Sequence, residues 1–304
     1  MRKTDQITEA QALLDVAPSR TSDASRRATL KLGLGIGYAA ATLPVLAQTA
    51  IKTSADGLTT GAVSIDVNGF ALPAYRSQPA GKTGLPVALV ISEIFGVHEY
   101  IADITRRLAH LGYLAIAPDL FVRQGDAKSH TDIPRLMSEI VAKTPDVQVT
   151  GDLDATCAWA AAHGGDVGRL GVMGFCWGGR QAWLYAAHSP QVKAAVAWYG
   201  RLTGEATVLQ PRNPLDMAAQ LKAPVLGLYG EADTGIPLDS IAKMKAALTK
   251  AAEQGNAAAK ASRFVVYPDA PHAFHADYRP SYRKEAAEDG WSRALAWFKQ
   301  YGAA

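Results

Sequence analysis

The sequence predicts an α/β fold: a mostly parallel central sheet with helices on both faces, entered by an N-terminal antiparallel hairpin. Beyond residue 60, short β-branched runs alternate with helical patterns, the order that makes parallel strands joined by helical crossovers. Runs such as "LPVALVISE" (85–93) are apolar without alternation, as strands buried on both faces must be. At 304 residues and 48% hydrophobic, the chain holds enough apolar material for one large core. No repeat, low-complexity block or linker-like shift follows residue 60, so a single domain over 51–304 is the simpler expectation.

The N-terminus is a different kind of segment. "SRRATLK" (25–31) precedes "LGLGIGYAAATLPVLA", an apolar stretch ending in small residues, with a cut site expected after Ala47. The Arg26-Arg27 pair resembles a twin-arginine export signal, which implies export machinery as a partner and a periplasmic destination, against a cytoplasmic alternative. The stretch is shorter than the ~20 apolar residues that span a bilayer, so stable membrane anchoring is not expected. Residues 1–50 are therefore assigned to signal and linker.

The elements then follow in order. "AVSIDVN" and "FALPAYRSQP" alternate around Asn68-Gly69, a dipeptide suited to a two-residue hairpin turn. After the strand at 85–93, "EYIADITRRLAHLG" has helical spacing and stops at Gly112. "YLAIAPDLF" is the next strand, and 131–163 is mostly helical with a break near Pro145. "RLGVMGF" leads through Cys176 into the helix "GGRQAWLYAAHS". "VKAAVAWYG", "APVLGLYGEAD" and "SRFVVYPDAPHAF" are three more strands, and two further helices start near residues 238 and 283.

Ligands of such sheets sit beyond the carboxyl ends of the strands. The polar residues expected there are Glu93, Asp119, Cys176, Asp233 and His272. Cys176 lies in "GFCWGG", where small neighbours permit a sharp strand-to-helix turn and the helix N-terminus favours a thiolate. An isolated cysteine is more often inert packing, which is the expectation for Cys157 in "LDATCAWAA". Asp233 follows Cys176 by 57 residues and His272 follows Asp233 by 39, each after its own strand. Nucleophile, acid, histidine is the chain order of α/β-hydrolase triads. His272 is preferred over His275 because it lies nearer its strand. Glu93, a carboxylate ending an apolar strand, needs a partner wherever it is buried.

"GFCWGG", "SEIFGVHEYIADITRRLAHLGYLAIAPDLFVRQG", "YGEAD" and "PHAFHADYRPSY" together resemble the dienelactone hydrolase family, over roughly residues 60–302. The resemblance implies an α/β-hydrolase fold and a Cys176–Asp233–His272 triad. It further implies a Glu93 that meets the resting thiol and assists its deprotonation, and an oxyanion hole from the N–H groups of Ile94 and Trp177. Arg123 matches an arginine that binds the substrate carboxylate in dienelactone-cleaving members. A second such arginine, four residues after the triad histidine, is Ala276 here, and Arg279 is not its equivalent. The implied reaction is hydrolysis of a small carboxylic ester or lactone through a thioester acyl-enzyme, and the specific lactone does not follow.

No metal or cofactor is expected, since no His/Cys/Asp cluster has ligand spacing. Nucleic acid is not an expected partner either. Residues 1–47 carry six basic and four acidic side chains, leaving 25 and 24 in the remainder, with no basic stripe. Two alternatives use the same fold: a periplasmic thiol redox or sensing protein, and a binding protein without catalysis. Two cysteines without a CxxC pair argue against the first, and a full triad against the second.

Overall fold

The structure, a computed structural model, describes residues 51–304. The segment expected to be an export signal, with its expected cut site, lies outside the described residues. Strand β1 (Leu58–Val67) turns back into β2 (Phe70–Pro79) through Asn68 and Gly69, both at positive φ (53° and 85°). Two left-handed residues in a two-residue loop match the right-handed twist of the strands they join. β2 pairs antiparallel with β4 (Leu114–Pro118), and from there the sheet is parallel.

The eight strands lie in the order β1-β2-β4-β3-β5-β6-β7-β8. β3 spans Leu85–Ile91, β5 Gly165–Phe175, β6 Val192–Trp198, β7 Val225–Gly230 and β8 Arg263–Tyr267. Every residue of β3, β4 and β7 is buried, which is why these segments carry no alternation. The chain leaves β3 through helix α1 (Glu99–His110) to β4 on one side, then returns to place β5 on the other. That reversal opens a crevice beyond the ends of β3 and β5, where loops diverge to opposite faces. Glu93 follows β3 and Cys176 follows β5, so the strand order itself brings both to the crevice.

The region predicted to be helical with a break at Pro145 contains α2 (Ile133–Glu139), a 3-10 turn and α3 (Asp146–Ala162). Pro145 caps α3, where its missing N–H costs nothing. α4 (Trp177–His188) follows the elbow, and α5 (Leu238–Glu253), α6 (Ala257–Ala261) and α7 (Lys284–Gln300) complete the layers. Arg180 on α4 grips Asp146 at the start of α3 with two bonds of 2.7 and 2.8 Å. This largely buried fork fixes the helix that carries the elbow. α7 packs so closely on the sheet that a Cβ at Gly171 would meet the Phe298 ring at 3.0 Å. Among the described residues, no helix is long and apolar enough to cross a membrane.

Candidate active site

Cys176 sits at φ 55° and ψ −118°, a strained setting for any residue with a side chain. Its surroundings enforce that setting. The Cys176 N–H donates to the carbonyl of Trp198 at the end of β6 (3.0 Å), while its carbonyl accepts from Gly179 (2.8 Å) and Arg180 (3.2 Å). A Cβ at Gly174 would run into the Gly178 carbonyl, and one at Gly178 into the carbonyls of Ile91 and Ser92. Glycine is thus required on both sides because backbone meets backbone. The same contact presses the first turn of α4 against the end of β3.

Asp233 and His272 come together behind the elbow. The His272 Nδ1–H donates to Asp233 Oδ2 at 2.7 Å, with both side chains fully buried. Asp233 Oδ1 accepts from the backbone N–H groups of Gly235 (2.9 Å) and Ile236 (3.2 Å), so the carboxylate is held from both ends. Burial disfavours a charged His272, but Asp233 and the Cys176 sulfur outweigh it and raise its pKa well above the ordinary value. The Tyr199 ring, at the strained φ of 39°, stands edge-on to His272 with centroids 5.1 Å apart. His275 turns the other way, sharing a 2.6 Å hydrogen bond with Tyr100.

Glu93 is fully buried, and its neighbours were not anticipated from sequence. The Tyr278 hydroxyl donates to Glu93 Oε2 at 2.6 Å, and His98 Nε2 lies 3.4 Å from the same oxygen. Arg279 Nε donates in turn to the Tyr278 hydroxyl at 3.0 Å. The guanidinium stacks over Tyr278 (5.1 Å) and Phe95 (4.9 Å). Burial alone would push the Glu93 carboxyl up, yet His98, Arg279 and Tyr278 together draw it down to about 2. Glu93 Oε1 is buried without a hydrogen-bond partner, which leaves an acceptor available inside the site.

The loop bearing Tyr278 is itself anchored. Asp277 pairs with Arg107 of α1 at 2.5 Å, and Arg107 also holds Asp103 at 2.6 Å. The only sequence trace of this cluster is the polar "HEY" after the first parallel strand and "HADYRPSY" after the triad histidine.

The remaining predicted residues are placed as follows. Ile94 is buried one residue beyond Glu93, and Trp177 opens α4 with its ring against Phe121 (4.5 Å). Among the described residues, neither of their backbone N–H groups is taken by a turn or cap bond. Arg123 pairs through one nitrogen with Asp152 of α3 (2.6 Å) and lies over the Phe70 ring (4.0 Å), and Asp119 pairs with Lys128. Ala276, in the same loop as the triad histidine, is buried. Cys157 contacts Tyr185 at 3.4 Å within the α3 packing, and burial pushes its thiol up to about 11. That residue is a poor nucleophile at neutral pH.

A strained cysteine at a helix N-terminus, an imidazole oriented by a buried carboxylate and backbone N–H groups outside the turn and cap bonds are the parts that nucleophilic acyl transfer needs. Comparison with known proteins places the chain among hydrolases. The model of the dienelactone hydrolase family matches residues 72–302. A Methylorubrum extorquens protein provisionally named carboxymethylenebutenolidase is 56% identical over 281 residues, covering 92% of this chain and 94% of that protein. A Bradyrhizobium protein provisionally named 2-oxo-3-(5-oxofuran-2-ylidene)propanoate lactonase is 33% identical, covering 78% of this chain and 92% of its own. The crystal structure of a provisionally named dienelactone hydrolase from Klebsiella pneumoniae superposes with a TM-score of 0.77 at 54% identity. It covers 81% of this chain and all of that one. The chain described here belongs to the dienelactone hydrolase family.

Proposed function

We propose that this hydrolase cleaves a small carboxylic ester or lactone with Cys176 as nucleophile, His272 as general base and acid, and Asp233 as the group that orients His272. The observation that supports the reading is the 2.7 Å Asp233–His272 bond on an imidazole whose charge the Cys176 sulfur also favours, with Cys176 held at positive φ on a nucleophile elbow. His272, with its Nδ1 proton committed to Asp233, presents Nε2 to the thiol and takes its proton. The thiolate attacks the carbonyl carbon, and the N–H groups of Ile94 and Trp177 receive the developing oxyanion.

Collapse breaks the carbon–oxygen bond as His272 returns the proton to the leaving oxygen, giving a thioester on Cys176. Water, deprotonated by His272, then attacks the thioester, and the acid departs as the thiol is restored. Glu93 lies at the same end of the sheet, where its unpaired Oε1 suits it to accept the S–H bond of the resting thiol. Arg123 uses only one nitrogen on Asp152, so the rest of its fork can meet a substrate carboxylate.

The test is Cys176→Ala assayed with short nitrophenyl esters and a dienelactone, alongside mass spectrometry of the wild-type protein trapped during turnover. The expected result is loss of hydrolysis with folding retained, and an acyl adduct on Cys176 in the wild type. Near wild-type turnover by the variant would end the proposal. We also propose export through the twin-arginine route, on the strength of Arg26-Arg27 and the apolar stretch that follows. Replacing both arginines with lysine should trap the protein in the cytoplasm, and an unchanged distribution would remove that assignment.

A further inference from the structure

We propose that Tyr199 is a further catalytic residue, whose buried hydroxyl donates a hydrogen bond to the leaving oxygen of the ester as the acyl group passes to Cys176. The inference rests on the Cys176 reading above and adds one donor to the same step.

The backbone at Tyr199 is strained, and its neighbours hold it so. Its φ of 39° lies in the left-handed region, where a bulky side chain is an outlier. The Tyr199 N–H donates to the Leu228 carbonyl of β7 at 2.8 Å, and the Gly200 carbonyl accepts from the Tyr229 hydroxyl at 2.8 Å. A Cβ at position 200 would strike the backbone of Gly179, in the first turn of α4. One residue earlier, the Trp198 carbonyl accepts the Cys176 N–H. The strained turn and the nucleophile elbow are therefore clamped to each other. Strain of this kind persists only where the surroundings over-determine it, and it collects at functional sites.

The side chain is aimed as firmly as the backbone. The Tyr199 ring is fully buried and meets His272 and Phe274 edge-on, with centroids 5.1 and 5.4 Å away. Its hydroxyl is buried and closes no full hydrogen bond, while the Tyr100 hydroxyl beside it is engaged with His275 at 2.6 Å. A buried donor left open in this way calls for a partner, and at this position the substrate supplies one. Burial first, then the nearby Tyr100, Glu93 and Cys176, raise the phenol well above its ordinary pKa, so it stays a donor across the working range. The His272 contact and the electrostatic reach of the Cys176 sulfur set it beside the two residues that handle the leaving group.

In acylation the sulfur–carbon bond forms and the carbon–oxygen bond breaks. The electron pair of the broken bond goes to the leaving oxygen, which takes its proton from His272. Tyr199 transfers no proton. Its O–H dipole meets the negative charge that builds on that oxygen, and this helps most where the oxygen is most basic. A nitrophenolate departs readily as an anion, whereas an alkoxide does not.

The test compares Tyr199→Phe with wild type on nitrophenyl, phenyl and ethyl esters of one short acid, read as kcat/KM because that ratio reports acylation. The substitution keeps the ring and removes only the hydroxyl, and circular dichroism checks the fold. The loss should be smallest with the nitrophenyl ester. It should grow with the basicity of the leaving oxygen to about tenfold for the poorest leaving group cleaved, the worth of one hydrogen bond. A loss that does not grow along the series, or no loss at all, would overturn the assignment, since a merely structural tyrosine would affect every ester alike. Wild-type protein that cleaves none of the esters would remove the hydrolase reading and this assignment with it. Wild-type turnover with an even loss in the variant would remove the Tyr199 assignment alone.

Discussion

Replacing Asp233 with Asn tests the triad at its least visible member. Asp233 is 4% exposed and uses both oxygens, one toward His272 and one toward the Gly235 and Ile236 N–H groups. An asparagine has a single acceptor oxygen. If it keeps the two backbone donors, its NH2 faces His272 Nδ1 and forces the imidazole proton onto Nε2. The ring stays in place, but the nitrogen facing Cys176 can no longer accept a proton. Wrong-tautomer substitutions of this kind cost about 10⁴ in turnover in serine proteases, or about 5.5 kcal/mol at about 1.4 kcal/mol per tenfold.

A fall in kcat/KM of about 10³ to 10⁴ is therefore expected for a short nitrophenyl ester, with an unchanged far-ultraviolet circular dichroism spectrum. The pKa of His272 should also drop, because burial is then less strongly opposed. A raised histidine pKa adds stability that is complete below its unfolded value of about 6.5 and lost as pH rises through the folded value. The stability gap between wild type and variant should accordingly be widest in mild acid and narrow as pH rises. A folded variant that keeps more than about a tenth of wild-type kcat/KM would refute the assigned role of Asp233, since removal of a triad member should cost far more.

Gly178→Ala should destabilise the fold by about 3 kcal/mol or more, because its Cβ would meet the Ile91 and Ser92 carbonyls rather than a flexible side chain. A melting temperature within error of wild type would contradict that contact. Trp183→Ala should cost about 3 to 5 kcal/mol in urea unfolding, since a fully buried indole and its 3.2 Å bond to the Tyr229 hydroxyl are lost together. Glu93 falls from an ordinary 4.5 to about 2 in the folded protein, equivalent to about 3 kcal/mol. That contribution is present above pH 4.5 and lost as pH falls toward 2, so the stability advantage over Glu93→Gln should shrink across this interval; a constant gap would exclude it.

The α/β class, the Asn68-Gly69 hairpin and the order of strands and helices were legible in the sequence because each depends on local rules. Periodicity shows burial on one face or two, and glycine, asparagine and proline mark turns through their own backbone limits. "GFCWGG" announced an elbow for the same reason: its glycines answer a short-range need for space. The elements bearing Asp233 and His272 were also legible from their position after strands.

What the tertiary structure alone decided is which side chains meet. Only nearness to its strand favours His272 over His275 in the sequence, three residues on; packing sends one to Asp233 and the other to Tyr100. Strand order places Glu93 and Cys176 on either side of one crevice. Tyr278, 185 residues beyond Glu93, became its partner only when the loop after β8 folded over the end of β3. Arg123, expected from its motif to be a substrate contact, pairs with Asp152 in the structure. The sequence by itself determined the backbone that can carry a nucleophile, because torsional limits act within a few residues. Partner choice and charge state waited for the fold, because hydrogen bonds and burial act through space.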